Sequence, residues 1–244
     1  IMQLTQEGCF ILLCFSNDKI NMSQKLFDYD QKIRKNKNAK LICGVDETGR
    51  GCWAGPLVAA AVIFEPETFI DGINDSKKLS NLQRVLLDKE IKKHAKSYGI
   101  AEIDVETIDK KGITFANNQA MIRAAKEAAQ KLNLDLSEID LFIIDQSPCK
   151  SLSPQIMMPK ADSTSASVAA ASILAKNHRD SLIKEFEIEY PQYKFEQHKG
   201  YINPIHVEAV NEYGLISGIH RKSFSVSGFN KPKQINLLDL IDES

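Results

Sequence analysis

Two apolar segments that lie close together along the chain constrain the fold more than any other feature. Residues 40–46 (KLICGVD) and 56–64 (PLVAAAVIF) are rich in β-branched and small apolar side chains, with Gly and Pro between them. Such runs are typical of consecutive buried β-strands. Residues 97–104 (SYGIAEID) alternate well enough for a half-buried third strand, and residues 139–145 (IDLFIID) predict a fourth strand that is fully buried.

The segments between and after these strands have the composition and spacing of helices. Helices are predicted within residues 79–96, 113–132, 163–190 and 203–214. This order of elements predicts an α/β domain with a central β-sheet flanked by helices and a C-terminal helical segment. The sheet is expected to be mixed, because the links among the first three strands are too short for parallel crossovers.

No repeat or flexible linker interrupts the central part of the chain, so one compact domain is expected over residues 41–228. Residues 1–40 are interpreted as an N-terminal extension and residues 229–244 as a C-terminal tail. Residues 1–21 are expected to be poorly structured or an upstream misannotation, because Met22 precedes a polar, helix-compatible stretch. The apolar run in residues 8–15 is far shorter than the roughly 20 residues of a membrane span, so no membrane association is expected.

Charge and cysteine content exclude some classes of function. Lys and Arg (31) nearly balance Asp and Glu (32), so total charge does not indicate a nucleic-acid partner, although a neutral protein can carry a basic groove. The five cysteines are scattered and form no CxxC pair, so neither a zinc site nor a disulfide framework is indicated. Reduced thiols of this kind predict a cytoplasmic protein.

Four acidic residues occupy positions that can converge at one edge of the sheet. Asp46 and Glu47 end the first strand, Asp145 ends a later buried strand, and Asp162 lies at the start of the long helix. Crowded carboxylates repel one another, and oxygen-only ligands favour Mg²⁺ or Mn²⁺, two of which can support phosphodiester hydrolysis. Because neighbours in a strand face opposite ways, Asp46 is predicted to be the inner ligand, with Glu47 at the rim where the strand bends.

Each acid also has an ordinary structural interpretation. Asp46 and Glu47 before a glycine could simply be residues at which a strand leaves the sheet, and Asp145 could be a polar strand end. Asp162 could cap the long helix, because its side chain can accept hydrogen bonds from the amides of the first turn.

Basic, glycine and aromatic residues suggest contacts with a nucleic acid. Gly49 and Gly51 flank Arg50, so main-chain amides can approach a nucleic-acid backbone closely while the guanidinium binds a phosphate. Lys77 lies in DSKKLS, and KGY contains Lys199 and Tyr201; such basic and aromatic groups can neutralise phosphates and stack on a sugar. The alternatives are a plain turn for Gly-Arg-Gly and solvated loops for the other two segments.

Eight segments in order carry a family resemblance: VDETGRG…AGPLVAAAV, DSKKLS, EID, NQAM, ADSTSASVAAASILAKNHRD, YPQYKF, HKGY and GIHRKSF. The chain resembles bacterial ribonuclease HII, the type 2 ribonuclease H, over roughly three quarters of its length. The resemblance implies an RNase H-like fold and metal-dependent cleavage of RNA in RNA–DNA hybrids and 5′ of single ribonucleotides in duplex DNA, for ribonucleotide excision repair and primer removal. It implies 3′-OH and 5′-phosphate ends.

Site residues follow from the matching motif positions. The family's four metal-site acids fall on Asp46, Glu47, Asp145 and Asp162. Its Gly-Arg-Gly, which reads the ribose 2′-OH through the backbone, falls on residues 49–51, and the tyrosine that packs on the next deoxyribose falls on Tyr201. The 2′-OH is what distinguishes RNA from DNA, so this pairing of devices is physically reasonable.

The chain departs from the family pattern at Thr48, where Ala is usual, and at Gln146 and Ala161, where Gly is usual. None of these removes a reacting group, so they bear on rate and metal preference. The sibling ribonuclease HIII is the nearest alternative, but it typically lacks Gly-Arg-Gly and carries an N-terminal substrate-binding domain. A catalytically silent hybrid-binding module is the alternative from another class, and the presence of all four acids argues against it.

The histidines and the tail complete the expectations. His94, His178 and His206 are interpreted as surface or packing residues, whereas His198 and His220, beside basic residues, are expected to help line a nucleic-acid groove. Residues 234–238 (QINLL) resemble the short peptides with which bacterial replication proteins bind the sliding clamp; an amphipathic helix that covers the domain is the alternative. The protein is expected to be a monomer.

Overall fold

A five-stranded β-sheet forms the centre of the molecule in a computed structural model that describes residues 17–146 and 148–229. The strands are β1 (Ile42–Thr48), β2 (Leu57–Ile63), β3 (Ser97–Ile103), β4 (Leu141–Asp145) and β5 (Gln155–Met158). The helices are α1 (Asn17–Lys37), α2 (Asn81–His94), α3 (Val105–Lys111), α4 (Ile113–Gln130), α5 (Ala166–Glu189), α6 (Phe195–His198) and α7 (Pro204–Tyr213). Short 3₁₀ turns cover residues 76–78, 136–138, 161–163 and 191–193.

The sheet is mixed, which confirms the predicted α/β architecture. The strand order is β3-β2-β1-β4-β5; β1–β2 and β2–β3 are antiparallel, whereas β1–β4 and β4–β5 are parallel. The short Gly- and Pro-containing link explains the antiparallel pairing of β1 with β2, as predicted. The link between β2 and β3 is long and contains α2. The prediction that a short link forces β2 and β3 to pair antiparallel was therefore wrong in its reason, although the two strands are antiparallel.

Helices cover both faces of the sheet. On one face, Val45, Ala59 and Ala61 pack against the alanine-rich side of α4, and on the other face Ala60 and Val62 pack against α5. Both faces of β2 are buried, which is why its sequence is a continuous apolar run rather than an alternating one. The helix layers hold the strand ends in fixed positions.

Helix α5 lies unusually close to β1, and the sequence shows why. A Cβ atom at Gly44 would lie 2.2 Å from the Ser167 carbonyl carbon and 2.4 Å from the Val168 nitrogen. Only a glycine leaves room for the first turn of the helix at this point. The close approach places the residues just before α5 beside the end of β1, where the predicted acids lie.

Helix α1 packs on the domain through buried polar contacts. Asp30 accepts a hydrogen bond of 2.9 Å from the Ser167 amide at the start of α5. Arg34 is buried and donates to the Phe64 carbonyl at 2.7 Å and to the Lys40 carbonyl. Residues 1–16 and the predicted clamp-binding segment 234–238 lie outside the described residues. Within the described ranges, no helix combines the length and apolar character that a membrane span requires.

Candidate active site

A cleft of about 220 Å³ opens at the edge of the sheet where β1 and β4 end. It is lined by Asp46, Glu47, Thr48, Gly49, Arg50, Gly51, Ser76, Lys77, Asp145, Gln146, Ser172, Lys176 and Tyr201. Parallel pairing of β1 with β4 brings the C-terminal ends of both strands to the same edge, so acids far apart in sequence meet there. Eight of the ten predicted site residues line this cleft; Asp162 and Lys199 are adjacent to it.

Three of the predicted acids are almost fully buried at this edge. Asp46 and Asp145 are each 6% exposed and Asp162 is 2% exposed. Asp145 accepts a 2.8 Å hydrogen bond from the Ala161 amide through Oδ1, which joins the end of β4 to the turn that carries Asp162. The Asp162 Oδ2 atom lies 3.6 Å from the Lys77 ammonium, so Lys77 closes the same side of the cleft.

The structure rules out one alternative for Asp162 and corrects the predicted end of β1. Asp162 does not cap the long helix: it lies in the 3₁₀ turn 161–163, and Ser165 is the cap, accepting from the Val168 amide. Strand β1 does not bend at Glu47 but continues to Thr48, with Glu47 paired opposite Ala59. Both Asp46 and Glu47 nevertheless line the cleft, because it surrounds the end of the strand rather than one face.

The acids raise one another's proton affinity. Burial, followed by the charge of Glu47, raises the pKa of Asp46 well above its ordinary value. Burial raises the pKa of Glu47 to about 7, with Arg50 opposing this change and Asp145 adding to it. Burial and the neighbouring Asp75 raise the pKa of Asp162. The carboxylates therefore repel one another, and a cation among them would relieve that repulsion.

Unpaired oxygens indicate where a cation would fit. Glu47 Oε2 and Asp162 Oδ2 are buried without a hydrogen-bond partner, although the Lys77 ammonium lies 3.6 Å from Asp162 Oδ2. Such atoms are costly unless something else occupies the site. Among the described residues, no three His, Cys, Asp or Glu side chains stand close enough to hold a metal ion by themselves. Mg²⁺ usually takes one or two carboxylates and completes its shell with waters and substrate phosphates, so it does not require such a group. The donor set fits such an ion.

The Gly-Arg-Gly segment forms a tight loop at the rim of the cleft. Gly49 has a φ of +89°, which a side chain rarely adopts, and a Cβ there would lie 2.4 Å from Arg179 Nε. A Cβ at Gly51 would meet no atom within 4 Å, so the space in front of its backbone is open. The Arg50 side chain reaches back toward Glu47, with Nη1 4.0 Å from Oε1. The loop thus offers open backbone beside the acids.

Tyr201 lies next to that loop because two chain segments are joined by main-chain hydrogen bonds. The Gly200 carbonyl accepts from the amides of Trp53 (2.8 Å) and Ala54 (3.1 Å), and Cys52 forms an isolated antiparallel bridge with Tyr201. Tyr201 is 44% exposed, so a large aromatic surface faces solvent at the cleft. This contact between distant segments could not be read from either motif alone.

The sequence interpretation missed several residues of the cleft. Ser172 and Lys176 project from successive turns of α5, and the Ser172 hydroxyl lies 2.9 Å from that of Ser76. A hydrogen bond from Ser172 partly counters the rise in the pKa of Asp46. The i, i+4 spacing of the two polar residues on an otherwise apolar helix face was the available signal. Lys199 contributes its carbonyl to Arg179 rather than its side chain to the cleft.

The predicted placement of two histidines was wrong. His198 and His220 are 5% and 0% exposed and lie in an aromatic cluster with Trp53 and Phe195, so neither lines a groove. His206 belongs to the same cluster, in keeping with its predicted packing role: its Nε2 lies 3.0 Å from that of His220, and its Nδ1 2.9 Å from the Tyr201 carbonyl. The cluster therefore contacts the Tyr201 segment through His206, on the buried side of that segment.

Known proteins match most of the chain. A sequence model of the family described as Ribonuclease HII matches residues 43–227. A protein named Ribonuclease HII from Ruminiclostridium cellulolyticum is 46% identical over 202 residues, which cover 82% of this chain and 76% of that protein. The solved PCNA:RNase HII complex from Archaeoglobus fulgidus superposes with a TM-score of 0.61 at 25% identity, over 81% of this chain and 99% of that one. Bst-RNase HIII in complex with Mn²⁺ superposes with a TM-score of 0.60 at 19% identity, over 77% and 68%.

Proposed function

The chain belongs to the ribonuclease HII family of endonucleases, which hydrolyse RNA in RNA–DNA hybrids, and we propose that the acidic cleft at the end of β1 and β4 is its active site. The proposed catalytic residues are Asp46, Glu47, Asp145 and Asp162. The observation that carries this assignment is the buried Glu47 Oε2, which has no hydrogen-bond partner, beside the buried acids Asp46 and Asp145 and the buried Asp162, which pairs with Lys77.

We propose that these acids hold Mg²⁺ or Mn²⁺, with two ions in the reactive complex. When bound, the ions would supply an activated water and stabilise the charge on the leaving oxygen. Asp145 is oriented by the Ala161 amide and Asp46 by hydrogen bonding at Glu47 N and Ser172, so both carboxylates are fixed before substrate arrives. Lys77, 3.6 Å from Asp162, supplies positive charge where a phosphate would enter. The Mn²⁺ in the Bst-RNase HIII structure supports the choice of metal.

We propose that the loop of residues 49–51 and Tyr201 together recognise an RNA-to-DNA junction. The open backbone at Gly51 leaves room for a ribose 2′-OH, and the exposed ring of Tyr201 offers a surface on which the next sugar can pack. A second hydroxyl would crowd this packing, so the ring favours a deoxyribose at that position. Arg50 and Lys77, which line the cleft, would neutralise the phosphates. Cleavage then falls 5′ of the ribonucleotide and leaves 3′-OH and 5′-phosphate ends, as ribonucleotide excision repair and primer removal in the cytoplasm require.

Asp46→Asn tests the active-site assignment. The amide keeps the shape but loses the charge that a divalent cation needs, so cleavage of an RNA–DNA hybrid should fall by at least about 10²-fold, while binding of the hybrid stays within about threefold. Asp88→Asn is the matched control, because Asp88 is a buried acid on α2 that pairs with Lys92 outside the cleft. Full activity of Asp46→Asn would refute the assignment, and a wild-type protein that binds but never cleaves would favour a silent hybrid-binding module.

We also propose that residues 234–238 bind a sliding clamp. The relative from Archaeoglobus fulgidus was solved in complex with PCNA, which supports such a partner. A pull-down with purified clamp should retain the full chain and lose a variant truncated before Gln234. Equal retention of both proteins would contradict this proposal, while leaving the catalytic proposal unaffected.

A further inference from the structure

Arg179 on α5 joins the two chain segments that form the proposed junction reader. Its side chain is fully buried. Nη2 donates to the Ala54 carbonyl at 2.8 Å, and Nη1 donates to the Lys199 carbonyl at 2.8 Å. Nε donates to the Pro56 carbonyl at 3.3 Å. One guanidinium therefore contacts both the segment that follows Gly-Arg-Gly and the segment that precedes Tyr201.

Both segments are shaped around this guanidinium. Added Cβ atoms at Gly49, Gly55 and Gly200 would lie 2.4 Å, 3.3 Å and 3.0 Å from the nearest Arg179 side-chain nitrogen. All three glycines have positive φ angles, of +89°, +85° and +79°. The backbone of both segments is thus folded closely against Arg179, and the position of the guanidinium fixes the spacing between the two segments.

The positive charge of Arg179 is not balanced by a nearby acidic side chain in the described part of the chain. Among the described residues, no carboxylate lies within ion-pair distance of it; the neighbouring Asp180 pairs instead with Arg84 at 3.1 Å and Lys176 at 2.7 Å. A buried charge without a counter-charge costs stability compared with an apolar side chain of similar size. What the guanidinium offers in return is a rigid planar set of donors that can bind several carbonyls in fixed directions.

We propose that Arg179 is a positioning residue that determines specificity: it holds the Gly-Arg-Gly loop and Tyr201 at the separation of two consecutive sugars. This inference rests on the proposed junction recognition. Arg179 acts through the Ala54 and Lys199 carbonyls and does not touch the substrate. In a continuous RNA–DNA hybrid, the sugar that reaches Tyr201 is a ribose rather than a deoxyribose. Cleavage of the hybrid should therefore depend less on the distance between the Gly-Arg-Gly loop and Tyr201 than cleavage at a junction does.

Arg179→Lys is the test variant, because it keeps the positive charge but replaces the planar fork with a single ammonium that cannot bridge both segments in the same way. The readout is the ratio of two initial rates, one on a duplex with a single ribonucleotide and one on a continuous RNA–DNA hybrid. A displacement of about 1 Å can cost roughly 10²-fold in rate, so we expect this ratio to fall about tenfold or more, with hybrid cleavage reduced less than about threefold.

Arg34→Lys is the matched control. Arg34 is also a buried arginine that donates to carbonyls of two segments, Lys40 and Phe64, but at the opposite edge of the sheet. It should lower the thermal unfolding temperature to a similar degree and leave the rate ratio unchanged. Gly55→Ala is a second variant: it keeps Arg179 but crowds its Nη2 at 3.3 Å and strains the backbone at a φ of +85°, and it should lower the ratio in the same direction by a smaller factor.

The outcomes distinguish failure of the proposed role of Arg179 from failure of junction recognition itself. If the wild-type protein cleaves the single-ribonucleotide duplex but Arg179→Lys and Gly55→Ala keep its rate ratio, the positioning role of Arg179 is refuted and junction recognition stands. Equal losses on both substrates would also refute it, because they would indicate a general structural role. If the wild-type protein cuts the hybrid but not the single-ribonucleotide duplex, the junction proposal fails and this inference fails with it.

Discussion

Glu47→Gln should stabilise the metal-free protein while removing its activity. In the folded chain the Glu47 carboxyl lies among Asp46 and Asp145, its side chain is only 9% exposed, and Oε2 has no hydrogen-bond partner. An amide of nearly the same shape carries no charge and can donate to a neighbouring carboxylate. The substitution therefore removes the cost of burying this charge, together with its repulsion by Asp145, both of which a divalent cation would otherwise relieve.

The magnitude follows from the pKa of this carboxyl, which is raised from its ordinary value of 4.5 to about 7, chiefly by burial. Between these two values the folded state binds more protons than the unfolded state, so the free energy of unfolding falls as pH rises through that window. Each pKa unit corresponds to 1.36 kcal/mol, so the ionised Glu47 costs the metal-free protein up to about 3 kcal/mol above pH 7. At pH 4.5 and below, the cost is absent.

Urea unfolding with a chelator present, from pH 5 to pH 8, measures this difference. Glu47→Gln should exceed wild type by about 2–3 kcal/mol at pH 8 and by less than about 1 kcal/mol at pH 5. Saturating Mn²⁺ should stabilise wild type more than the variant. Glu90→Gln is the control, since Glu90 is a half-exposed acid on α2 that pairs with His94; it should change the free energy of unfolding by less than about 0.5 kcal/mol at any of these pH values. A variant no more stable than wild type at pH 8, or a gap that does not depend on pH, would refute this cost of the buried, ionised Glu47.

Three further predictions concern the frame around the site. Gly44→Ala should lower the free energy of unfolding by about 3 kcal/mol or more in urea, because its Cβ would lie 2.2 Å from the Ser167 carbonyl carbon; a loss below about 1 kcal/mol would contradict the close strand–helix contact. Gly51→Ala should leave unfolding within about 0.5 kcal/mol of wild type, since its Cβ has open space, yet reduce cleavage of a single-ribonucleotide duplex; unchanged kinetics would argue against backbone reading at this residue. Burial lowers the pKa of His206 to about 3 and that of His220 to about 4, so between about pH 6.5 and 4 the unfolded state binds more protons than the folded state. The free energy of unfolding should therefore fall as pH falls through this range. A His206→Gln variant whose free energy of unfolding depends on pH as that of wild type does would contradict this.

The sequence predicted the strands and most of the acid cluster because both depend on local pattern and on one topological rule. Continuous apolar runs marked β1, β2 and β4, and the acids at the ends of β1 and β4 meet because those strands are parallel neighbours. The short strand β5 was not predicted, because its residues are only partly buried and follow no clear alternation.

Asp162, His198 and His220 lie in surroundings that the local sequence could not determine. The segment 162–165 (DSTS) offers four adjacent residues that can cap a helix, so the sequence alone could not choose Ser165 over Asp162. His198 and His220 stand beside Lys199 and Arg221, which suggested a basic groove, yet contacts between distant segments bury both rings. Nothing in the sequence singled out Arg179 as a buried residue. Its buried position depends on glycines on two loops far away in sequence, and no local pattern records that.

The most direct test of the proposed function is cleavage of a DNA duplex that contains one ribonucleotide, with Mg²⁺ and with Mn²⁺, and with the cut mapped to the nucleotide. We expect a single cut on the 5′ side of the ribonucleotide, a 3′-OH and a 5′-phosphate, and loss of the cut in Asp46→Asn. An intact duplex under conditions in which a continuous RNA–DNA hybrid is cleaved would contradict recognition of the junction by residues 49–51 and Tyr201.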